Sequence, residues 1–190
     1  MIYSIVAYGD PVLKKVAEDI DPQGDIDVKK LSEDMFETMY AANGVGLAGP
    51  QIGLSKRIFV VDAGEMDDEI KNFKKVFVNA EILEETGEEW DFEEGCLSIP
   101  DVRGPVSRPP KVHIRYYDEN WEQHEEVFEG IAARVVQHEY DHIEGILFTE
   151  HLSAFKKRLI KSKLEKISKG KIRQDYKMRF PGERKSRGMR

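Results

Sequence analysis

Apolar and polar residues recur along this chain with two different periods, and the period changes twice. From Asp27 the apolar residues Val28, Leu31, Met35, Met39 and Ala42 fall at helical spacing, and Asn43-Gly44 closes the run with residues that tolerate a left-handed turn. A shorter helix is expected earlier, from Asp10-Pro11 to about residue 18, because an N-cap followed by proline suits a first helical turn. The helical period then stops. "RIFVVD" (57–62) and "KVFVNAEIL" (75–83) read as strands either side of the acidic loop "AGEMDDEIKN". "KVHIRYYD" and "WEQHEEVFE" alternate like the arms of a hairpin around "DEN". Helical spacing returns in "GIAARVVQHEYDHIEG" (130–145). It continues in "HLSAFKKRLIKSKLEKISKGK" (151–171), where Leu152, Phe155, Leu159 and Leu164 lie near one face. Helix, strands, then helices predicts an α+β fold: a mostly antiparallel sheet around a central helix carrying His138 and His142, with a C-terminal helix. No repeat or linker interrupts the pattern. One catalytic domain over residues 1–190 is therefore expected, with a basic helix and tail from about residue 152.

Composition narrows the class. The 190 residues are 40% hydrophobic and 34% charged, as in a soluble globular chain large enough to bury a core. No run approaches the roughly 20 apolar residues that span a bilayer. "MIYSIVAYGD" has neither a basic n-region nor a small-residue cleavage site, and Cys96 is the only cysteine. Together these predict a reducing, cytoplasmic setting without a membrane partner. The net charge of −7 hides an asymmetry. Residues 156–190 hold 15 Lys or Arg against Glu165, Asp175 and Glu183, a balance of +12, so the preceding residues carry −19. Such a tail suits a polyanionic partner.

The candidate chemistry sits in "QHEYDH" (137–142). Ile131, Val135, His138 and His142 form one stripe on their helix, so both imidazoles should face inward and can share one cation. A catalytic metal usually takes three protein ligands and keeps one position open, so a third ligand is needed. Gly145 fits the metzincin spacing, but the position that should supply the third histidine is Phe148. Glu150 and Glu165 are available for a thermolysin-like arrangement. Cys96, in "EEGCLSIP" (93–100), is the stronger candidate, because a thiol beside a divalent ion ionises and becomes an anionic ligand. An endopeptidase would need the downstream carboxylate. A non-catalytic metal-stabilised protein would need neither Glu139 nor Gln51.

"GVGLAGPQIG" (44–53), "EEGCLS" (93–98) and "QHEYDHIEG" (137–145) occur in that order, and together they resemble the three signature motifs of the peptide deformylases. The likeness extends through "YGDPVLKKVAEDI" and "IPDVRGPVSRP", over roughly residues 3–150. The resemblance implies a metal-dependent hydrolase that removes the N-formyl group from the initiator N-formylmethionine of new polypeptides, releasing formate. It implies Cys96, His138 and His142 as metal ligands and Glu139 as the acid/base. It implies Gln51 and the Leu97 N–H as donors to the formyl oxygen. Val45 and Gly46 would lie along the substrate backbone, and Arg103 would support the site. The implied ion is Fe2+, with Zn2+, Ni2+ or Co2+ able to replace it. The implied partners are formylmethionyl nascent peptides and, through the basic C-terminal segment, the ribosome. Neither a membrane nor specific DNA is expected as a partner.

Overall fold

The computed structural model describes residues 1–181; the last part of the expected basic tail lies outside the described residues. In chain order the elements are β1 (Ile5–Val6), α1 (Val28–Ala41), β2 (Gly46–Ala48), β3 (Ile58–Asp62), β4 (Lys74–Thr86) and β5 (Trp90–Cys96). They continue with β6 (Ile99–Arg108), β7 (Lys111–Tyr117), β8 (Gln123–Glu129), α2 (Gly130–Ile143), α3 (Ala154–Ser168) and β9 (Met178–Arg179). The fold is α+β. Strands β2-β3-β4-β7-β8 form one antiparallel sheet in that order, β5 and β6 form an antiparallel hairpin, and β1 pairs in parallel with β9.

Both faces of the main sheet are covered, which explains why β3 is apolar at successive positions rather than alternating. Phe59 and Val61 join Phe77, Ile114 and the α2 residues Ala133 and Val136 on one face. Ile58 and Val60 join Val76, Val78 and the α1 residues Met35 and Met39 on the other. A third core lies under the β5–β6 hairpin, where Val6, Val102 and Val106 meet Ile160 and Ile167 of α3. Fully burying an aliphatic side chain of this kind contributes about 1.5–3 kcal/mol.

α1 begins where the capping signal placed it, with the Asp27 carboxylate accepting from the Lys30 N–H at 3.0 Å. It ends at Asn43, whose φ of 55° makes it the left-handed residue of the pair. The neighbouring Gly44 serves a different purpose: a Cβ there would lie 2.7 Å from Leu97 Cδ1.

Two expectations change, and one stretch gains an element. The helix expected from Asp10 to about residue 18 is one 3-10 turn, Pro11–Lys14, and Lys15 is already extended. Val16 is exposed and only Leu13 anchors the turn, so no apolar stripe sustains a longer helix. The stretch 90–108, to which the sequence pattern assigned no element, is a hairpin. β6 contains Pro100, Gly104 and Pro105, which conceal a strand whose burial nonetheless alternates from Pro100 onward, and its edge position tolerates the prolines. In α3 the buried residues are Ile160 and Ile167, while Phe155 and Leu159 are 67% and 62% exposed. The helix meets the hairpin with a face rotated away from the Phe155–Leu159 side.

Candidate metal centre

The hairpin and α2 bring the chemistry together. Cys96 is the last residue of β5, Leu97 and Ser98 turn the chain, and Ile99 begins β6. His138 and His142 are one turn apart on α2, with ring centroids 5.1 Å apart and planes at 81°. α2 stops just after the second imidazole. Ile146 N–H donates to Asp141 O at 2.9 Å and Gly145 N–H to His142 O at 3.3 Å, with Gly145 at φ 73°. A Cβ at Gly145 would also strike the Lys14 backbone at 2.8 Å, so glycine is required twice over.

One donor atom each from Cys96, His138 and His142 lies within 4.8 Å of the other two. Cys96 Sγ is 3.4 Å from His142 Nε2. At that spacing a thiolate and two imidazole nitrogens could hold one cation between them. Two buried atoms beside it, Glu139 Oε2 and His142 Nδ1, have no hydrogen-bond partner. Desolvated oxygens are seldom left in that state, and a soft thiolate with two imidazoles is a usual donor set for a divalent transition ion. The residues present fit a metal. Gly145, Phe148 and Glu150 lie past the end of α2, and Glu150 is engaged with Lys14 at 2.6 Å.

Electrostatics favour the thiolate at Cys96 and charge on His138. Burial pushes the Cys96 thiol up, but the His142 and His138 imidazoles outweigh it and bring the group down to about 5. Burial opposes charge on His138 as well. Cys96, Glu94 and Glu139 overcome that and raise it well above the ordinary value. The two shifts favour thiolate beside imidazolium, and a bound cation would displace the imidazole proton. Burial raises Glu139 above the usual carboxylate range, against the pull of the two histidines.

Around these groups stands a shell of charge. His138 Nδ1 lies 3.3 Å from Glu94 Oε2. Arg108 grips Glu94 with two bonds, at 2.7 and 3.1 Å, and reaches Asp141 at 2.9 Å with its remaining nitrogen. Burial works against ionised Glu94, yet His138 and Arg108 hold its carboxyl down to about 2. A carboxylate on the far nitrogen of a ligating histidine fixes the tautomer and the ring direction.

The expected site residues other than His142 line one cavity of about 480 Å³. Gln51 is buried there. Its Oε1 accepts from the Ala48 N–H at 2.8 Å, which turns Nε2 toward Cys96 Sγ at 3.3 Å and Ser98 Oγ at 3.4 Å. Val45 and Gly46 form part of the wall, Gly46 at the start of β2. At Gly46 a Cβ would lie 2.4 Å from Glu139 Oε1, so the bare backbone lets the carboxylate stand where it does. Arg103 is at the rim, largely exposed, donating to the Glu93 carbonyl at 3.3 Å.

Comparison with known proteins decides the lineage. Residues 2–158 match the family model described as polypeptide deformylase. A peptide deformylase of Cytophaga hutchinsonii is 60% identical over 95% of this chain and 98% of its own length. One from Christiangramia forsetii is 58% identical over 98% of this chain and all of its own. Among solved structures, the peptide deformylase of Thermus thermophilus superposes with a TM-score of 0.81 at 39% identity, covering 90% of this chain and 99% of that one. The chain belongs to the polypeptide deformylase family.

Within this deformylase, sequence reasoning passed over Glu94, Arg108, Asp141, Ser98 and Tyr176, all of which stand in or directly behind the site. A signal for Glu94 was present. On an alternating strand from Trp90 it shares the inward phase with Phe92, and an inward carboxylate demands a buried cation. Tyr176 gave no comparable signal, because it arrives from a segment remote in sequence.

Proposed function

We propose that Cys96, His138 and His142 hold one divalent ion, and that Glu139, Gln51 and the Leu97 N–H carry out deformylation beside it. The protein is a hydrolase of a family that removes the N-formyl group from nascent polypeptides, and this family is metal-dependent. The observation that supports the roles is the convergence of three ligand atoms within 4.8 Å beside a buried Glu139 whose Oε2 has no partner. When bound, the ion supplies Lewis acidity, lowering the pKa of water towards neutrality and polarising a carbonyl oxygen. Glu139 takes a proton from the attacking water and later delivers it to the departing amine, a role suited to a carboxyl whose affinity for protons burial has raised. Gln51 Nε2, its amide locked by the Ala48 N–H, donates to the formyl oxygen, and the Leu97 N–H donates from the other side. Each such donor contributes roughly 10²–10³ in rate where it has been measured.

Val45 and Gly46 lead into β2, the edge strand of the main sheet. An extended peptide adding to that edge is held through its backbone, which suits an enzyme that must accept many N-terminal sequences. Arg103, at the rim, supports the adjoining hairpin. Fe2+ is the proposed native ion, with Zn2+, Ni2+ or Co2+ able to occupy the same ligands. We read residues 1–190 as one catalytic domain working in the cytoplasm. The basic segment from about residue 152 presents exposed lysines on α3 to ribosomal phosphates, and neither a membrane nor specific DNA is a partner. No described helix is long and apolar enough to cross a membrane.

The test pairs metal analysis of anaerobically purified protein with hydrolysis of a formyl-Met peptide and its unformylated twin. One equivalent of metal and release of formate from the first alone is expected. Cleavage of internal bonds in the second would overturn the assignment.

A further inference from the structure

The segment that follows α3 returns across the molecule and ends behind the metal centre. β9 pairs with β1: Ile5 N–H donates to Lys177 O at 2.8 Å and Ala7 N–H to Arg179 O at 2.9 Å. One residue further, Tyr8 N–H donates to Ser98 O at 2.8 Å. Tyr176, just before β9, extends its hydroxyl to Leu97 O at 2.8 Å and forms part of the cavity wall.

These bonds land on the turn that needs them. Leu97-Ser98 is a two-residue loop between paired Cys96 and Ile99, and neither residue is left-handed. Two-residue hairpin loops favour mirror-image turns with positive φ, because only those match the twist of the strands. This turn lacks that help, and the pairing register already breaks between Gly95 and Cys96. The peptide joining Leu97 to Ser98 is the central one of the turn, whose rotation distinguishes one turn type from another. Its carbonyl is the group Tyr176 holds. With that peptide anchored, and the preceding residue tied into the Cys96–Ile99 pair, the Leu97 N–H is left with one direction.

We propose that Tyr176 is a positioning residue for deformylation: its hydroxyl, delivered by the β1–β9 pairing, locks the Leu97-Ser98 turn so that the Leu97 N–H faces the formyl oxygen. The inference rests on the reading of that N–H as a donor to the reacting carbonyl. Asp101 ties the same segment down, accepting from Gln174 Nε2 at 3.1 Å through its side chain and from Lys163 Nζ through its carbonyl. The site is thereby coupled to the C-terminal segment as well as to the three motifs.

The test is Tyr176→Phe in the full-length, metal-loaded enzyme, which keeps the ring and removes the hydroxyl. Expected are a kcat for a formyl-Met peptide lower by roughly 3- to 10-fold, the loss one neutral hydrogen bond gives, with KM and metal content unchanged. In the zinc form, amide hydrogen exchange at Leu97 and Ser98 should accelerate. If neither kcat nor exchange moves, Tyr176 does not position the turn, and the Leu97 assignment stands. If exchange accelerates while kcat holds, the Leu97 N–H is not a donor in the reaction and the proposal falls with it. A raised KM at constant kcat would make Tyr176 a direct substrate contact and overturn the positioning role.

Discussion

Two places among the described residues bring three metal-competent atoms within 4.8 Å of one another: Cys96, His138 and His142, and, on the β7–β8 hairpin, Asp118, Glu122 and His124. By distance alone they are equivalent. Their surroundings are not. In the hairpin cluster Asp118 Oδ1 accepts from the Asn120 and Glu122 N–H groups and Oδ2 pairs with His124 at 2.8 Å, so the donors already serve the turn. Glu122 is exposed. At the other cluster His142 is 1% and Glu139 4% exposed, buried atoms lack partners, and a carboxylate with its arginine orients the first imidazole. Proximity of donors is cheap on a polar surface. What distinguishes the first cluster is that burial leaves Glu139 Oε2 and His142 Nδ1 beside it without a partner, and a charged shell aims its first imidazole.

The sharpest way to break this comparison is at Glu139. Glu139→Ala should retain the metal and lose about 10²–10⁴ of kcat, as expected for removal of an acid/base group. His124→Ala on the hairpin should leave kcat within about twofold, as surface changes do. Steady-state assays with metal analysis decide both, and equal losses would erase the distinction. Next, Cys96→Ser should weaken metal retention by more than the roughly 10–100-fold that outer partners cost, read by competition with a chelator. Glu94→Gln tests the shell itself. It leaves Arg108 facing a neutral amide in a buried setting, with an expected loss of about 3–5 kcal/mol in denaturant unfolding and about 10-fold or more in metal affinity. Gly46→Ala forces Glu139 aside and should lower kcat at least about 10-fold, with a stability cost of about 1–3 kcal/mol by calorimetry.

The smallest effect belongs to the hairpin. Burial raises the Asp118 carboxyl, but His124 and the Glu122 and Asn120 N–H groups outweigh it and hold it below its ordinary range. A lowered pKa adds stability that is complete above the unfolded value, near 3.9, and fades as pH falls through the folded one. Asp118→Asn should therefore cost about 1 kcal/mol at pH 7, and the gap from wild type should close below about pH 4. A gap that persisted in acid would mean that the turn geometry, not the charge, carries the effect.

Much of the site was legible beforehand. His138 and His142 could be read from their spacing because a helix puts residues four apart on one face whatever surrounds it. α1 was read from its helical period and β3 and β4 from short apolar runs, since burial against a layer imposes such patterns locally. β5 and β6 were not, because prolines and a glycine mask an alternation that an edge position permits. Arg103 and Arg108 are five residues apart on one strand and so on opposite faces, but no local signal in this proline-masked strand says which face is buried. In the folded chain one lies at the rim and the other grips Glu94.

Taken alone, the order of residues determined most of the element types and the chemical inventory: one thiol, two imidazoles on a helix, a carboxylate beside them. These depend on interactions a few residues long. Only the tertiary structure decided that Cys96 stands 3.4 Å from His142, that Glu94 and Arg108 orient His138, and that Tyr176 reaches Leu97 from 79 positions away. Such contacts form when separate elements bury their apolar faces together, and no local pattern records which polar groups that burial will bring face to face.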